Sequence, residues 1–371
     1  MQFINLQEQY KRLKTVIDTN LHQVLEHGQF ILGPEVNELE KKLADYVGVK
    51  HCITVANGTD ALMIALMAIG IQPGDEVITT PFSFIASGEM IALLGAKPVF
   101  VDIDRDTYNI DTHQIEKAIT AKTKCIMPVS LYGQTADMQT LLLLAQQYKL
   151  HVIEDAAQSF GATYRGKKSC GLSTIGCTSF FPTKPLGCYG DGGACFSDND
   201  DFALTMRRLR THGQNKRYNH SILGVNSRLD TLQAAILLAK LAIFDNEIEQ
   251  RRQIGQRYHT LLQNHVKTMK VLPDNTCVYA QYTIEVPQRT AIQEYLQMHH
   301  IPTAIHYPLP LNLQPVFADK GYHTQRFYKA EEAAKSVLSL PMHPYLTEQE
   351  QDFICENLLT ALATCQERAA G

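Results

Sequence analysis

The chain has 371 residues, 45% of them apolar, a formal charge of −4 and no low-complexity tract. That composition describes a globular chain, and its slightly acidic balance argues against a nucleic-acid surface. The longest strongly apolar stretch, Ala61 to Ile71, falls well short of the roughly 18 residues that span a bilayer.

The opening MQFINLQEQYKRLK lacks the apolar h-region of a signal peptide. Nine cysteines, an odd count with no CxxC pair, suit a reducing compartment better than a disulfide framework or a zinc site. The cytoplasm is the expected location, with no metal.

From about Lys50 to Ser197, short β-rich runs alternate with helical stretches, the pattern of an α/β sheet covered on both faces. The candidate strands are HCITVA, EVITT, KPVFVDI, KCIMPVS, HVIED, CTSFF and GACFS. Thr59 to Ile69 and Ile85 to Leu94 are apolar enough for buried helices, stopped by Gly70 and Gly95.

NGTDAL, Asn57 to Leu62, follows the first strand and opens a helix, so its free first-turn amides and the helix dipole favour a phosphate. Thr59 or Asp60 could equally serve as a simple helix cap. In HVIEDAAQSFG, Asp155 and Gln158 follow a strand expected to be central and buried. An isolated buried carboxylate is costly, so Asp155 should meet a cation, for which a protonated pyridine nitrogen would serve; otherwise it is a helix cap.

GATYRGKKS nearly matches a nucleotide-binding GxxxxGK[ST] loop, but Lys168 stands where the magnesium-binding hydroxyl belongs, and no clear helix follows. A surface turn is the better reading. In SFFPTKPLG, Lys184 precedes Pro185, which biases it away from helix toward an extended or turn conformation at a strand end. A lysine held there can form a Schiff base. Ser179, five residues earlier, could donate to a phosphate, and the glycines of GCYGDGG allow a tight return into GACFS.

Arg207, Arg208 and Arg210, with Lys216 and Arg217, lie near Asp198, Asp200 and Asp201 and read as a solvated helix and loop. Beyond Asp230, TLQAAILLAKLAIFDNEIEQRRQIGQRYHTLL is one long helix or two joined ones. VYAQYTIEV then reads as a strand, Arg289 to His300 as a helix and HYPLPLNLQP as a proline-punctuated loop. Two domains are expected at this length: residues 1–245, holding the sheet, and a smaller α+β domain from 246 to 371.

Taken in order, HGQFILGPEV, NGTDAL, LYGQ, EDAAQSFGA, SFFPTKPLG, GDGG, GVNSRLD and HYPLPL span nearly the whole chain. On these motifs the sequence resembles the DegT/DnrJ/EryC1/StrS sugar aminotransferases, pyridoxal-phosphate enzymes of fold type I, whose large domain carries a mostly parallel seven-stranded sheet. The resemblance implies that Lys184 links covalently to pyridoxal 5'-phosphate and moves the proton, while Asp155 pairs with the pyridinium nitrogen. It further implies that Gly58, Thr59 and Ser179 hold the phosphate and that Phe84 stacks on the ring. Gln158 should meet the phenolic oxygen, where many members carry histidine. Asn226 matches a residue supplied by the neighbouring subunit, which implies a homodimer with shared active sites.

ILGPEV, ANGTDAL, CTSFFPTKPLGCYGDGGA, GVNSRLDTLQAAILL and VYAQYT are most similar to members that aminate the 3-keto group of a UDP-linked 2-acetamido uronic acid. The donor would be an amino acid such as glutamate, the pyridoxamine form of the cofactor carrying nitrogen between half-reactions, and the product would feed surface polysaccharide such as lipopolysaccharide O-antigen. Arg228 suits a planar sugar carboxylate, and His306 with Tyr307 match the motif facing the sugar nucleotide, although Asn312 replaces a histidine common among relatives. Read without the resemblance, Phe84 is core filling, Asn226 a turn residue, Arg228 a solvated charge and His306–Tyr307 loop packing. Three alternatives remain. They are amination of another dTDP- or UDP-linked keto sugar, a dehydratase, which would usually replace the lysine with histidine, and a non-catalytic regulator, which should carry an added DNA-binding segment not found here.

Overall fold

A computed structural model describes residues 1–370, and side chains through Cys365. All seven candidate runs pair into one sheet: β1 (His51–Val55), β2 (Glu76–Thr79), β3 (Lys97–Phe100), β4 (Thr123–Ile126), β5 (His151–Asp155), β6 (Ile175–Ser179) and β7 (Gly193–Ser197). The strand order is β1-β7-β6-β5-β4-β2-β3. Pairs from β6 through β3 are parallel, and β7 runs antiparallel between β1 and β6. Parallel strands need helical crossovers on both faces, and every residue of β2 is accordingly buried.

The runs are shorter than their apolar patterns suggest. KCIMPVS pairs as a regular strand only through Ile126, because Pro128 has no amide to donate to the ladder. Asp155 still takes the Pro128 carbonyl, and Ser130 takes that of Asp155, so the segment tracks β5 irregularly.

Helices α1 (Leu6–His27) and α2 (Pro34–Val47) precede the sheet, and α3 (Gly58–Ala68) and α4 (Ala86–Leu93) follow β1 and β2. The cap of α3 is Asn57, whose side chain accepts the Asp60 amide at 2.8 Å, rather than Thr59 or Asp60. Its residues Ala61, Leu62, Ile64, Ala65 and Leu66 are buried in the main core with Ile53, Val77, Ile91 and Ile153. Each fully buried aliphatic side chain of this kind contributes about 1.5–3 kcal/mol. Gly70 and Gly95 end these helices with φ of 78° and 76°.

The long C-terminal pattern resolves into two helices, Thr231–Leu241 and Phe244–Leu262. The second bridges two cores: Phe244 and Ile248 pack with Phe160 and Phe196 behind the large sheet, while Ile254, Tyr258 and Leu262 pack with Ile284, Leu296 and Leu340. That second core lies under a three-stranded antiparallel sheet built around Tyr282–Glu285 and Val337–Leu340. Residue 246 thus falls inside the bridging helix. TYRGKKS is a tight hairpin turn, with Arg165 and Gly166 both at positive φ.

The basic cluster at 207–210 departs from the solvated reading. Arg210 is buried and pairs with Glu40, and Arg207 reaches the same carboxylate at 2.7 Å. The Thr54 amide and hydroxyl also donate to Glu40, each at 2.9 Å, so the pair locks α2 and β1 to the helix Asp200–Leu209. Burial pushes the Glu40 carboxyl up, but Arg210 and Arg207 outweigh it and hold it below 4.5. A carboxyl depressed in the folded state stabilises above its unfolded value, and that stability is lost as pH falls through the folded value. Glu40→Ala, which strands Arg210, should cost about 3–5 kcal/mol in urea denaturation at pH 7, and the deficit should shrink toward pH 3.

Candidate active site

The site forms where the C-terminal ends of β5 and β6 meet the start of α3 and the loop before Tyr307. Lys184 lies in a turn after β6, its amide closing onto the Phe181 carbonyl at 2.8 Å, off any helix as Pro185 requires. Desolvation lowers the proton affinity of its half-buried amine, and the charge of Asp155 opposes that shift only in part. An amine so placed is more readily neutral, the state needed for attack on a carbonyl.

Asp155 ends β5 and is buried, and no helix follows it, so it caps nothing. Burial raises its proton affinity; the Ser87 hydroxyl, the Ala157 amide and the Lys184 charge act the other way. Ser87 Oγ donates to Oδ2 at 2.7 Å and the Ala157 amide to Oδ1 at 3.2 Å.

Gln158 is buried three residues on. Its Oε1 accepts the Tyr132 amide at 2.8 Å, which fixes the orientation of the side-chain amide and turns Nε2 toward Tyr307 Oη at 3.0 Å. One Nε2 proton therefore remains for a further acceptor. The Tyr307 ring lies 6.3 Å from that of Phe84, which is 55% exposed and thus a wall of the site rather than core.

His306 is held by Ser339 Oγ at 2.8 Å, and the Tyr132 hydroxyl donates to its backbone carbonyl. Burial and the nearby Lys184 charge push its imidazole down to about 4, so it is neutral at pH 7. The pairing of Ala304 with Ser339 attaches this segment to the edge of the three-stranded sheet. Asn312 turns inward instead, fully buried and donating to the Gln325 carbonyl.

The residues expected at the phosphate, Gly58, Thr59 and Ser179, meet at a close approach. A Cβ on Gly58 would stand 2.6 Å from Ser179 Cβ, and one on Gly193 would stand 2.4 Å from the Asn57 carbonyl. Only glycine at both positions lets β6 and β7 come this near the start of α3. The amides of Gly58 and Thr59 have no intrahelical acceptor, and Ser179 lies against them. These donors, the buried anion of Asp155 and the desolvated Lys184 amine fit a phosphorylated pyridine aldehyde.

Asn226 and Arg228 stand apart. Among the described residues no hydrogen bond ties either to this cluster; Asn226 is exposed and bridges to Thr211, while Arg228 is half-buried with Nε lacking a partner. The residue-level reading of the sequence missed Ser83, Ser87, Tyr132 and Ser339. Ser83 and Ser87 left a signal as a pair of serines four apart around Phe84 in PFSFIAS, and Tyr132 lies within the LYGQ motif; Ser339 left none.

The model of the DegT/DnrJ/EryC1/StrS aminotransferase family matches residues 11–359. The chain belongs to that family. It is 54% identical over 359 residues to the UDP-2-acetamido-2-deoxy-3-oxo-D-glucuronate aminotransferase of Pseudomonas aeruginosa, covering 96% of this chain and 99% of the relative. It is also 48% identical to a pleiotropic regulatory protein of Geobacillus stearothermophilus, covering 96% of each. Among solved structures it superposes on S. venezuelae DesV in complex with a ketimine intermediate, at TM-score 0.95 and 36% identity over 97% of each chain. The ntda protein from Bacillus subtilis with bound cofactor pmp matches at TM-score 0.89 and 36% identity, over 95% of this chain and 82% of that one. The fold is therefore that of the pyridoxal-phosphate enzymes of fold type I, and the chain is a pyridoxal-phosphate-dependent aminotransferase. No helix among the described residues is long and apolar enough to cross a membrane, and none of their His, Cys, Asp and Glu side chains cluster as a metal site.

Proposed function

We propose that this chain moves an amino group from an amino acid, glutamate, to the 3-keto carbon of a UDP-linked 2-acetamido-2-deoxy-3-oxo-hexuronic acid, in the cytoplasm, for surface polysaccharide. The observation that carries the choice of a uronic acid is Arg228, a half-buried guanidinium whose Nε has no partner, in a chain 54% identical to an aminotransferase of that substrate class. A carboxylate accepts from such a fork through two parallel bonds, which a neutral hydroxymethyl cannot do.

When bound, pyridoxal phosphate supplies an electron sink for the charge left as a proton departs from the carbon beside nitrogen. Lys184 anchors the cofactor and then carries that proton, Asp155 holds the ring nitrogen charged, and Gln158 donates to the phenolic oxygen. Gly58, Thr59 and Ser179 grip the phosphate, and Phe84 covers one ring face. His306 and Tyr307 face the sugar nucleotide from the smaller domain.

A homodimer that shares its sites is supported by what surrounds them. Phe84 and Phe181 are each about half exposed, and near the outstanding hairpin Gln214–His220, Tyr218 and Leu223 are 82% and 91% exposed. A second copy would cover these and bring Asn226 and Arg228 to the partner's site.

Arg228→Ala should cut kcat/KM on the uronate by about 10²-fold, the worth of a charge-assisted bidentate contact, and should leave the neutral hexose analogue within about threefold. Equal losses on both substrates reject the carboxylate role. The name of the Geobacillus relative raises a regulatory reading, which the same assay separates: a regulator would keep the cofactor yet release no 2-oxoglutarate over many turnovers.

A further inference from the structure

The segment Thr80–Leu93 carries more than the aromatic wall at Phe84. Ser83 and Ser87 lie four residues apart, Ser83 just before Phe84 and Ser87 in the first turn of α4, and both are buried, Ser87 completely. Their hydroxyls are 2.9 Å apart, and Ser87 Oγ lies 2.7 Å from Asp155 Oδ2. A carboxylate only accepts, so Ser87 donates to Asp155, and its own oxygen is then the acceptor for Ser83. The direction of the chain is set: Ser83 to Ser87 to Asp155.

Each carboxylate oxygen thus has one fixed donor, Ser87 on Oδ2 and the Ala157 amide on Oδ1. A carboxyl group with an O–H donor aimed at it from 2.7 Å cannot carry a proton on that lone pair. The pair also sets the rotation of the carboxyl plane, and hence where its remaining lone pairs point. The titratable groups around Asp155 are Lys184, Tyr307, Glu154 on the reverse face of β5, and the thiols Cys170 and Cys177. Of these only Lys184 is cationic. Glu154 meets its own donors, Ser130, Ser169 and the Cys170 amide, and lends Asp155 none.

We infer that Ser87, backed by Ser83, is a positioning residue that keeps Asp155 ionised and aimed at the cofactor's ring nitrogen. The inference rests on the reading of Asp155 as that nitrogen's partner. It ties the aromatic that covers the ring and the anion that grips it to one short stretch, so that the helix start at Ala86 aligns both.

The test uses the full-length protein loaded with pyridoxal phosphate. Cofactor dissociation is followed by loss of the visible band on dilution, and the pH at which that band changes is titrated in parallel. Ser87→Ala should weaken cofactor binding about tenfold, as expected for a hydrogen bond to a charged group, and shift the pH response of the band. Ser83→Ala should do the same at about threefold. Ser87→Thr, which keeps the hydroxyl, should recover most of the loss, and KM for the sugar nucleotide should not move. In an Asp155→Asn background, Ser87→Ala should add nothing further.

Cofactor affinity and band titration of Ser87→Ala within twofold of the parent would overturn the inference, as would equal damage from Ser87→Ala and Ser87→Thr. If Ser87→Ala does not fold, Ser83→Ala decides alone: an unchanged band titration rejects the relay. Should Asp155→Asn itself leave cofactor affinity unchanged, the reading of Asp155 fails instead.

Discussion

Lys184→Ala retains the fold but loses transamination by about three to four orders of magnitude, the upper range of what a positioned acid–base group supplies, and never shows the yellow colour of a lysine-linked cofactor. The expected loss is large because the proposed mechanism gives one amine two roles. In it Lys184 anchors the cofactor and is then the base that takes a proton and the acid that returns it. Its surroundings suit both roles, since desolvation lowers its proton affinity while Asp155 keeps the shift partial. Absorbance before and after borohydride reads the anchoring, and 2-oxoglutarate release from glutamate with a keto sugar nucleotide reads the turnover. A Lys184→Ala protein that keeps a borohydride-sensitive band, or turns over within tenfold of the parent, would reject the assignment. Folding should not suffer: among the described residues the half-buried amine feels only desolvation and the Asp155 charge and makes no hydrogen bond through Nζ, so its removal leaves no partner stranded.

Asp155→Asn is the second large effect and separates catalysis from stability. Removing one member of a buried charge pair costs about 3–5 kcal/mol, so the substitution should slow transamination by roughly two to four orders of magnitude and weaken cofactor binding. The cofactor-free protein should respond the other way. Burial raises the Asp155 carboxyl above its ordinary 3.8, so the folded chain binds that proton more tightly than the unfolded one. Stability linked to this group is therefore greatest below its unfolded value and declines as pH rises through the folded one. Asparagine has no such ionisation, so cofactor-free Asp155→Asn should melt no lower than the parent at pH 7, with its advantage vanishing near pH 3. Thermal melts at the two pH values, with and without pyridoxal phosphate, give the four numbers needed. An Asp155→Asn protein as active as the parent would remove this carboxylate from the mechanism.

Glu40, by contrast, is a charge that the fold needs and the chemistry does not. Both carboxylates are buried, but Glu40 meets two guanidinium groups within its own chain and falls below its ordinary range. Asp155 meets only hydroxyl, amide and the partial compensation of Lys184, and rises. A buried acid left under-compensated is where a cationic ligand gains most.

Much of this was legible in the sequence because it is a matter of local backbone preference. The seven strands, the helices stopped by Gly70 and Gly95, and the turn imposed on Lys184 by Pro185 each follow from residues within a few positions of one another. The motifs were legible for the same reason, since a glycine needed for close approach, as at Gly58, occupies a fixed place after its strand. Composition also bounded the chain: too little contiguous apolar sequence for a bilayer span, and too little excess positive charge for a nucleic-acid surface.

What the sequence could not decide is who meets whom across long separations. Ser87 and Asp155 are 68 positions apart, Gln158 and Tyr307 are 149, and Glu40 and Arg210 are 170. No local preference encodes those meetings; they follow from the strand order β1-β7-β6-β5-β4-β2-β3 and from which loops that order brings to one end of the sheet. The basic run at 207–210 shows the limit most plainly. Its spacing is that of a solvated helix face, and only the packing of that helix against α2 and β1 turned Arg210 inward onto a carboxylate. A charge is placed by the partner that repays its desolvation, and that partner is chosen by tertiary structure.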